Sequence, residues 1–181
     1  NNSAARMAGL PVTHASVGSE FVQEEIDLGG IGRLLAMTPN DEVNTLAAMG
    51  FAERFGRSEV YQTASPEPSS GRTERTTAYR RGRTLFSRPM TIGDLQQRFA
   101  AGERVKTTQI SEDFSFDDFL ARYGDDALVL FLIDDDELIV ATEDMEVVPR
   151  AGQKVVAIVD EQKAEQRDTL RTLADDSTSD D

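Results

Sequence analysis

At 181 residues the chain can bury the core of one large domain or of two small ones. It contains no cysteine, which excludes disulfides, thiolate nucleophiles and cysteine metal sites, and no apolar run approaches the roughly 20 residues of a spanning helix. A net charge of -14 argues against nonspecific nucleic-acid binding, which needs a cationic surface.

In chain order, Asn1 to Gly9 reads as a short helix built on Ala4, Ala5, Met7 and Ala8 and stopped by Gly9. Leu10 to Ala15 reads as a brief buried strand, and Ser16-Val17-Gly18-Ser19 as a turn that caps the next helix. Phe21, Val22, Ile26 and Leu28 mark that helix, which Gly29-Gly30 ends. The apolar run Leu34 to Met37 then reads as a strand feeding a helix. Thr38 is the expected cap, Pro39 the first helical residue, and Asp41 completes an approximate capping box. In open α/β sheets such a corner is where ligands bind, because helix N–H groups and small polar side chains converge there; many such corners are only connections. Val43, Leu46, Ala47, Met49, Phe51 and Phe55 continue the helix to Gly56, and Glu59 to Thr63 makes a further strand. Alternating helices and strands predict a parallel sheet with crossover helices. The glycine-rich G-x-G-x-x-G turn that opens a dinucleotide domain does not occur; Gly29-Gly30-Ile31-Gly32 precedes a strand instead of a helix.

Residues 65–77 have almost no apolar content and read as a linker between residues 1–64 and 78–160. Beyond it, Ala78-Tyr79 and Thr84-Leu85-Phe86 suggest strand. Thr91 caps a helix to Ala101 with Ile92, Leu95 and Phe99 on one face. Arg104 to Ile110 alternates as a strand, with Val105, Thr107 and Gln109 on one side and Lys106, Thr108 and Ile110 on the other. Ser115 and Asp118 cap a helix through Phe116, Phe119, Leu120 and Tyr123 to Gly124. Ala127 to Ile133, the turn Asp134-Asp135-Asp136, and Glu137 to Ala141 form a hairpin; Gln153 to Val159 is the last strand. Residues 161–181 read as a charged helix from Glu161 to Leu173 and a disordered acidic tail. The fold class expected is α/β, a truncated Rossmann-like parallel half-sheet followed by a small α+β module.

Few residues carry chemistry. The only histidine, His14, cannot form a zinc-binding pair and reads as structural or incidental. Asp134-Asp135-Asp136 lacks EF-hand spacing and reads as a solvated turn. No nucleophile elbow or P-loop occurs, so neither a catalytic nor a metal site is expected. The Arg80-Arg81-Gly82-Arg83 cluster has the charge to hold an anion, but pairing with the acidic second region is the simpler expectation.

Several runs together resemble a family. Asn2-Ser3-Ala4-Ala5-Arg6-Met7-Ala8-Gly9-Leu10-Pro11, Ile31 to Asn44 and Phe55-Gly56-Arg57-Ser58-Glu59-Val60-Tyr61-Gln62 are similar to the cytosolic tail of bacterial cation:proton antiporters of the sodium/hydrogen exchanger class. That tail is similar to the nucleotide-binding domains called regulators of potassium conductance (RCK). Gly82-Arg83-Thr84-Leu85-Phe86, Phe116-Asp117-Asp118-Phe119 and Pro149-Arg150-Ala151-Gly152-Gln153 carry the resemblance through the second region, to about Asp160. It implies a non-enzymatic regulatory domain, with the transporter domain and the first part of the nucleotide fold expected ahead of Asn1. It places Ala15-Ser16, Thr38, Asn40, Asp41 and Asn44 on a strand-end cleft. The ligand it implies is an adenine nucleotide or NAD, left open because the glycine turn and the acidic ribose-binding residue are not in this sequence. The partners implied are the transporter domain of the same polypeptide and a second copy in a homodimer, with no nucleic acid. The location implied is the cytoplasmic side of the bacterial inner membrane, this segment itself being soluble. Two other readings stay open: a remnant of a nucleotide-dependent oxidoreductase, and an assembly module that binds no ligand.

Overall fold

The computed structural model describes residues 2–13, 15–16, 30–65 and 81–178. The readings at His14, the helix over residues 20–29, the linker over 66–77 and the strand at Ala78-Tyr79 lie outside the described residues.

Two sheets make up the α/β fold. The first is parallel, in the order β1 (Leu34–Ala36), β2 (Val60–Gln62), β3 (Arg83–Thr84). Helix α2 (Asp41–Phe55) crosses from β1 to β2, following the short α1 (Asn2–Met7). Register runs Leu34↔Val60 and Ala36↔Gln62 on one side of β2, and Tyr61↔Arg83 on the other. β3 comes after the segment assigned as linker, yet it pairs with the sheet that comes before it.

The second sheet is antiparallel, in the order β4 (Arg104–Gln109), β7 (Lys154–Val159), β5 (Leu128–Asp134), β6 (Glu137–Val140). Helices α3 (Ile92–Ala100), α4 (Phe116–Tyr123) and α5 (Glu161–Thr178) accompany it. The expected parallel half-sheet and α+β module are both present.

Local chemistry explains most element boundaries. Thr91 and Asp94 form a reciprocal capping box on α3, as Ser115 and Asp118 do on α4, so each start is written within four residues. The β5–β6 hairpin turns at Asp135, whose φ of +49° is a left-handed conformation that Asp tolerates. β4 alternates as expected, with Val105, Thr107 and Gln109 exposed and Lys106, Thr108 and Ile110 turned inward.

Several expectations differ from what is observed. Residues 10–13 and Ala15 form no strand, and Leu10 is 59% exposed: two alternating apolar residues do not hold an extended segment without a ladder partner. Phe99, in the last turn of α3, is exposed although Leu95 on the same helix is buried. α5 continues to Thr178, past Leu173, where the tail was expected to begin.

Hydrophobic burial, worth roughly 25 cal/mol per Å² of apolar surface, unites both faces of the antiparallel sheet. Phe119, Tyr123, Val129, Leu132, Val155, Ala157, Val159 and Ala164 pack one face under α4 and α5. On the other face Leu128, Leu130, Val140 and Ile158 meet Tyr61, Leu85, Phe86 and Leu95, so this cluster joins the two sheets. A bulge in β5 helps: Val129 opposes Ala157 and Phe131 opposes Val156, which leaves Leu130 as an extra residue. The bulge shifts the side-chain phase, so Leu130 and Phe131 both reach the joining cluster. Lys106 to Glu161 at 2.6 Å and Arg122 to Asp168 at 3.2 Å fasten α5.

Candidate functional site

The predicted corner lies at the C-terminal edge of the parallel sheet, where β1 ends and α2 begins. Asn40, not Thr38, caps the helix: its Oδ1 accepts from the Val43 amide at 3.1 Å, and Asp41, not Pro39, is the first helical residue. The Thr38 hydroxyl is engaged elsewhere. It lies 2.7 Å from Asn44 Oδ1, and its single proton is best placed there, while its oxygen accepts from the Asn40 amide at 3.3 Å.

Asn44 is the centre of this arrangement. Its Oδ1 accepts from the Thr38 amide at 3.0 Å as well as from the Thr38 hydroxyl. Its Nδ2 donates to the Thr38 carbonyl at 2.9 Å and to Thr63 Oγ1 at 3.4 Å. Two donors and two acceptor sites are all that an asparagine amide offers, and Asn44 is 2% exposed. Its side chain is therefore spent on tying α2 to the ends of β1 and β2.

Asp41 belongs to a second, charged set. One carboxylate oxygen accepts from Gln62 Nε2 at 3.4 Å, and the other pairs with the Arg81 guanidinium. Gln62, 2% exposed, accepts from the Gly82 amide at 3.0 Å through Oε1. Gly82 lies against β2 so closely that a Cβ there would fall 2.9 Å from the Val60 carbonyl oxygen. Arg81 Nε is buried with no partner among the described residues.

The structure thus brings together Thr38, Asn40, Asp41 and Asn44, and adds Gln62, Thr63, Arg81 and Gly82. Ser16 is exposed in an irregular segment and belongs to no ladder of the parallel sheet. The arginine cluster divides. Arg81 pairs with Asp41 at the start of α2, whereas Arg83 pairs as expected with the acidic second region, donating to Thr142 Oγ1 at 2.8 Å and to Asp144 at 3.1 Å. The Thr142 hydrogen bond and then Arg83 hold the Asp144 carboxyl below its ordinary value. Beneath the corner, burial and then the Glu59 carboxylate push the Tyr61 phenol up, against the Arg83 guanidinium 5.7 Å from its ring.

In chemical terms the corner offers hydrogen-bonding groups and one ion pair. Among the described residues no group of three His, Asp or Glu side chains is placed to hold a metal ion. An open depression lined by Gln109, Ile133, Asp135, Asp136, Gly152 and Lys154 lies on the antiparallel sheet, at the turn end of the β5–β6 hairpin and not at the corner.

No family model and no curated protein matches the chain. Among solved structures it is similar to the crystal structure of the GsuK RCK domain, at 9% identity and a TM-score of 0.32. The match covers 88% of this chain and 37% of that one, so the chain spans little more than a third of that structure's length.

Proposed function

We propose that this chain is a non-enzymatic regulatory domain of a bacterial monovalent cation:proton antiporter, acting on the cytoplasmic side of the inner membrane through ligand binding, homodimerisation or both. The observation that carries the reading is the corner from Thr38 to Asn44, where the runs that resemble antiporter tails coincide with the C-terminal edge of parallel strands and a helix N-terminus. Coupling to transport requires the ligand to prefer one domain arrangement over another. An adenine nucleotide or NAD is the proposed ligand class, and Asn40 and Asp41 are the proposed contacts, since Asn44 is fully engaged by the chain itself. A net charge of -14 opposes any nucleic-acid partner.

The saturation of Asn44 favours a second reading, an assembly module whose corner is purely structural. Thermal melts with AMP, ADP, ATP, NAD and NADH separate the two. A ligand at about a hundred times its Kd adds roughly 2.7 kcal/mol of stability, and Asn40→Ala should abolish that increment. No shift with any nucleotide supports the assembly module instead; concentration-dependent self-association is expected under both readings and does not separate them. The transporter context is checked in the gene: apolar segments of about 20 residues encoded ahead of Asn1 are expected, and a soluble glycine-turn strand there would favour the oxidoreductase remnant.

A further inference from the structure

The two sheets are joined by four residues that change allegiance one after another. Thr84 is in the parallel ladder with β2, and the Leu85 amide still donates to the Gln62 carbonyl at 2.8 Å. Leu85 also bridges antiparallel to Thr142, and the Phe86 amide donates to the Ala141 carbonyl at 2.7 Å. The Ser87 amide then donates to the Val129 carbonyl at 3.0 Å, and Ser87 Oγ accepts from the Val129 amide at 3.1 Å. The turn between these partners is made at Phe86, which has a φ of +75°. A left-handed backbone is open to glycine and unfavourable for a bulky residue, by roughly tenfold in the folding constant.

Phenylalanine stands there nonetheless, and its ring explains why. Phe86 is 2% exposed, lies in the cluster that joins the sheets, and meets Phe131 edge to face with centroids 6.4 Å apart. Burial of the ring holds a backbone that the residue disfavours by itself. Such local strain persists only where the surroundings over-determine it, and it concentrates at switch regions.

We infer that Phe86 is a strained latch between the two sheets. In the latched state its ring is buried and its amide is bonded to Ala141. In the released state φ returns to negative values, the ring leaves Phe131, the Phe86 amide loses Ala141, and the antiparallel module swings against the parallel sheet. Release also has to break other contacts between the two sheets, among them Arg83 with Thr142 and Asp144, Arg33 with the Leu138 carbonyl, and the Glu143 amide with the Thr84 carbonyl. This inference stands whether or not the corner binds a ligand.

Three measurements test it. In the unaltered protein, hydrogen exchange should show the Phe86 and Ser87 amides opening at least tenfold more often than the Val155 and Ala157 amides of β7; equal protection overturns the latch. Chemical denaturation should rank Phe86→Gly above Phe86→Ala by roughly fivefold in the folding constant, because glycine accepts the left-handed turn. The opposite order, which is usual within a strand, overturns it. Since the chain has no cysteine, spin labels on Leu46→Cys and Asp136→Cys report the spacing of the sheets without competing sites. A second or broadened distance in Phe86→Ala, which lacks the ring but keeps the strain, supports release. A distance distribution identical to that of the parent overturns it. Should neither Phe86 variant fold, the exchange measurement on the unaltered protein decides.

Discussion

Replacing Asn44 with alanine removes four hydrogen bonds at once, and the size of the loss follows from where the partners sit. The Thr38 amide, carbonyl and hydroxyl are near the surface and recover water, whereas Thr63 Oγ1 belongs to a residue only 2% exposed. At a net value of about 1 kcal/mol per bond, with part recovered by hydration, Asn44→Ala should cost about 2–4 kcal/mol. The natural comparison is Asn40→Ala, which removes one cap bond and should cost about 1 kcal/mol. Urea unfolding followed by circular dichroism reads both. With a slope of about 1–3 kcal/mol per molar, Asn44→Ala should lower the midpoint by about 0.7 M or more, and Asn40→Ala by less than Asn44→Ala does. A loss below about 0.5 kcal/mol for Asn44→Ala, or an Asn40→Ala variant that is the weaker of the two, refutes the assignment of Asn44 as the tie between α2 and the strand ends.

Gly82→Ala should destabilise by about 2 kcal/mol or more, since the added methyl meets the Val60 carbonyl oxygen at 2.9 Å and backbone cannot move aside as a side chain can; a melting temperature unchanged from the parent contradicts the close approach. The two capping boxes predict a pH signature. Hydrogen bonds from Thr91 lower the Asp94 pKa and those from Ser115 lower the Asp118 pKa, so the native state binds fewer protons than the unfolded chain in acid. Their stabilisation is therefore complete above the ordinary carboxyl range of about 4 and is lost as pH falls through the lowered values. The melting temperature of Thr91→Val/Ser115→Ala should lie furthest below that of the parent at pH 6–7 and approach it near pH 3, and a pH-independent gap contradicts this account.

What could be read from the chain depended on how far apart the interacting residues lie. Thr91, and Ser115 with Asp118, are local signals, and both helices start where they place them; Asp94, which completes the box on Thr91, is visible only in the structure. The hairpin was equally plain, because a continuous apolar run and an acidic turn allow little else. The cap of α2 lies two residues past Thr38 because the hydroxyl of Thr38 is claimed by Asn44, six positions away and a neighbour only once the helix is folded. Arg81 reaches Asp41 across forty residues, and a charge count pointed it at the acidic module instead. Leu46 and Met49 follow a helical rhythm yet are exposed, while Asn44 between the apolar positions is buried. Periodicity reports which residues can be buried together; it does not report which surface is supplied with a neighbour.

The strand order β4-β7-β5-β6 has a consequence for synthesis. β7 lies between β4 and β5, and β4 has no other ladder partner among the described residues. As the polypeptide leaves the ribosome, the β5–β6 hairpin can close as soon as its turn emerges, but β4 has to wait until residues 154–159 arrive. The antiparallel module is thus completed by its last strand, in a single late insertion with long loops to close. A chain cut short before Lys154 would carry β4 as an unpaired edge, open to the β4 of a neighbouring nascent chain.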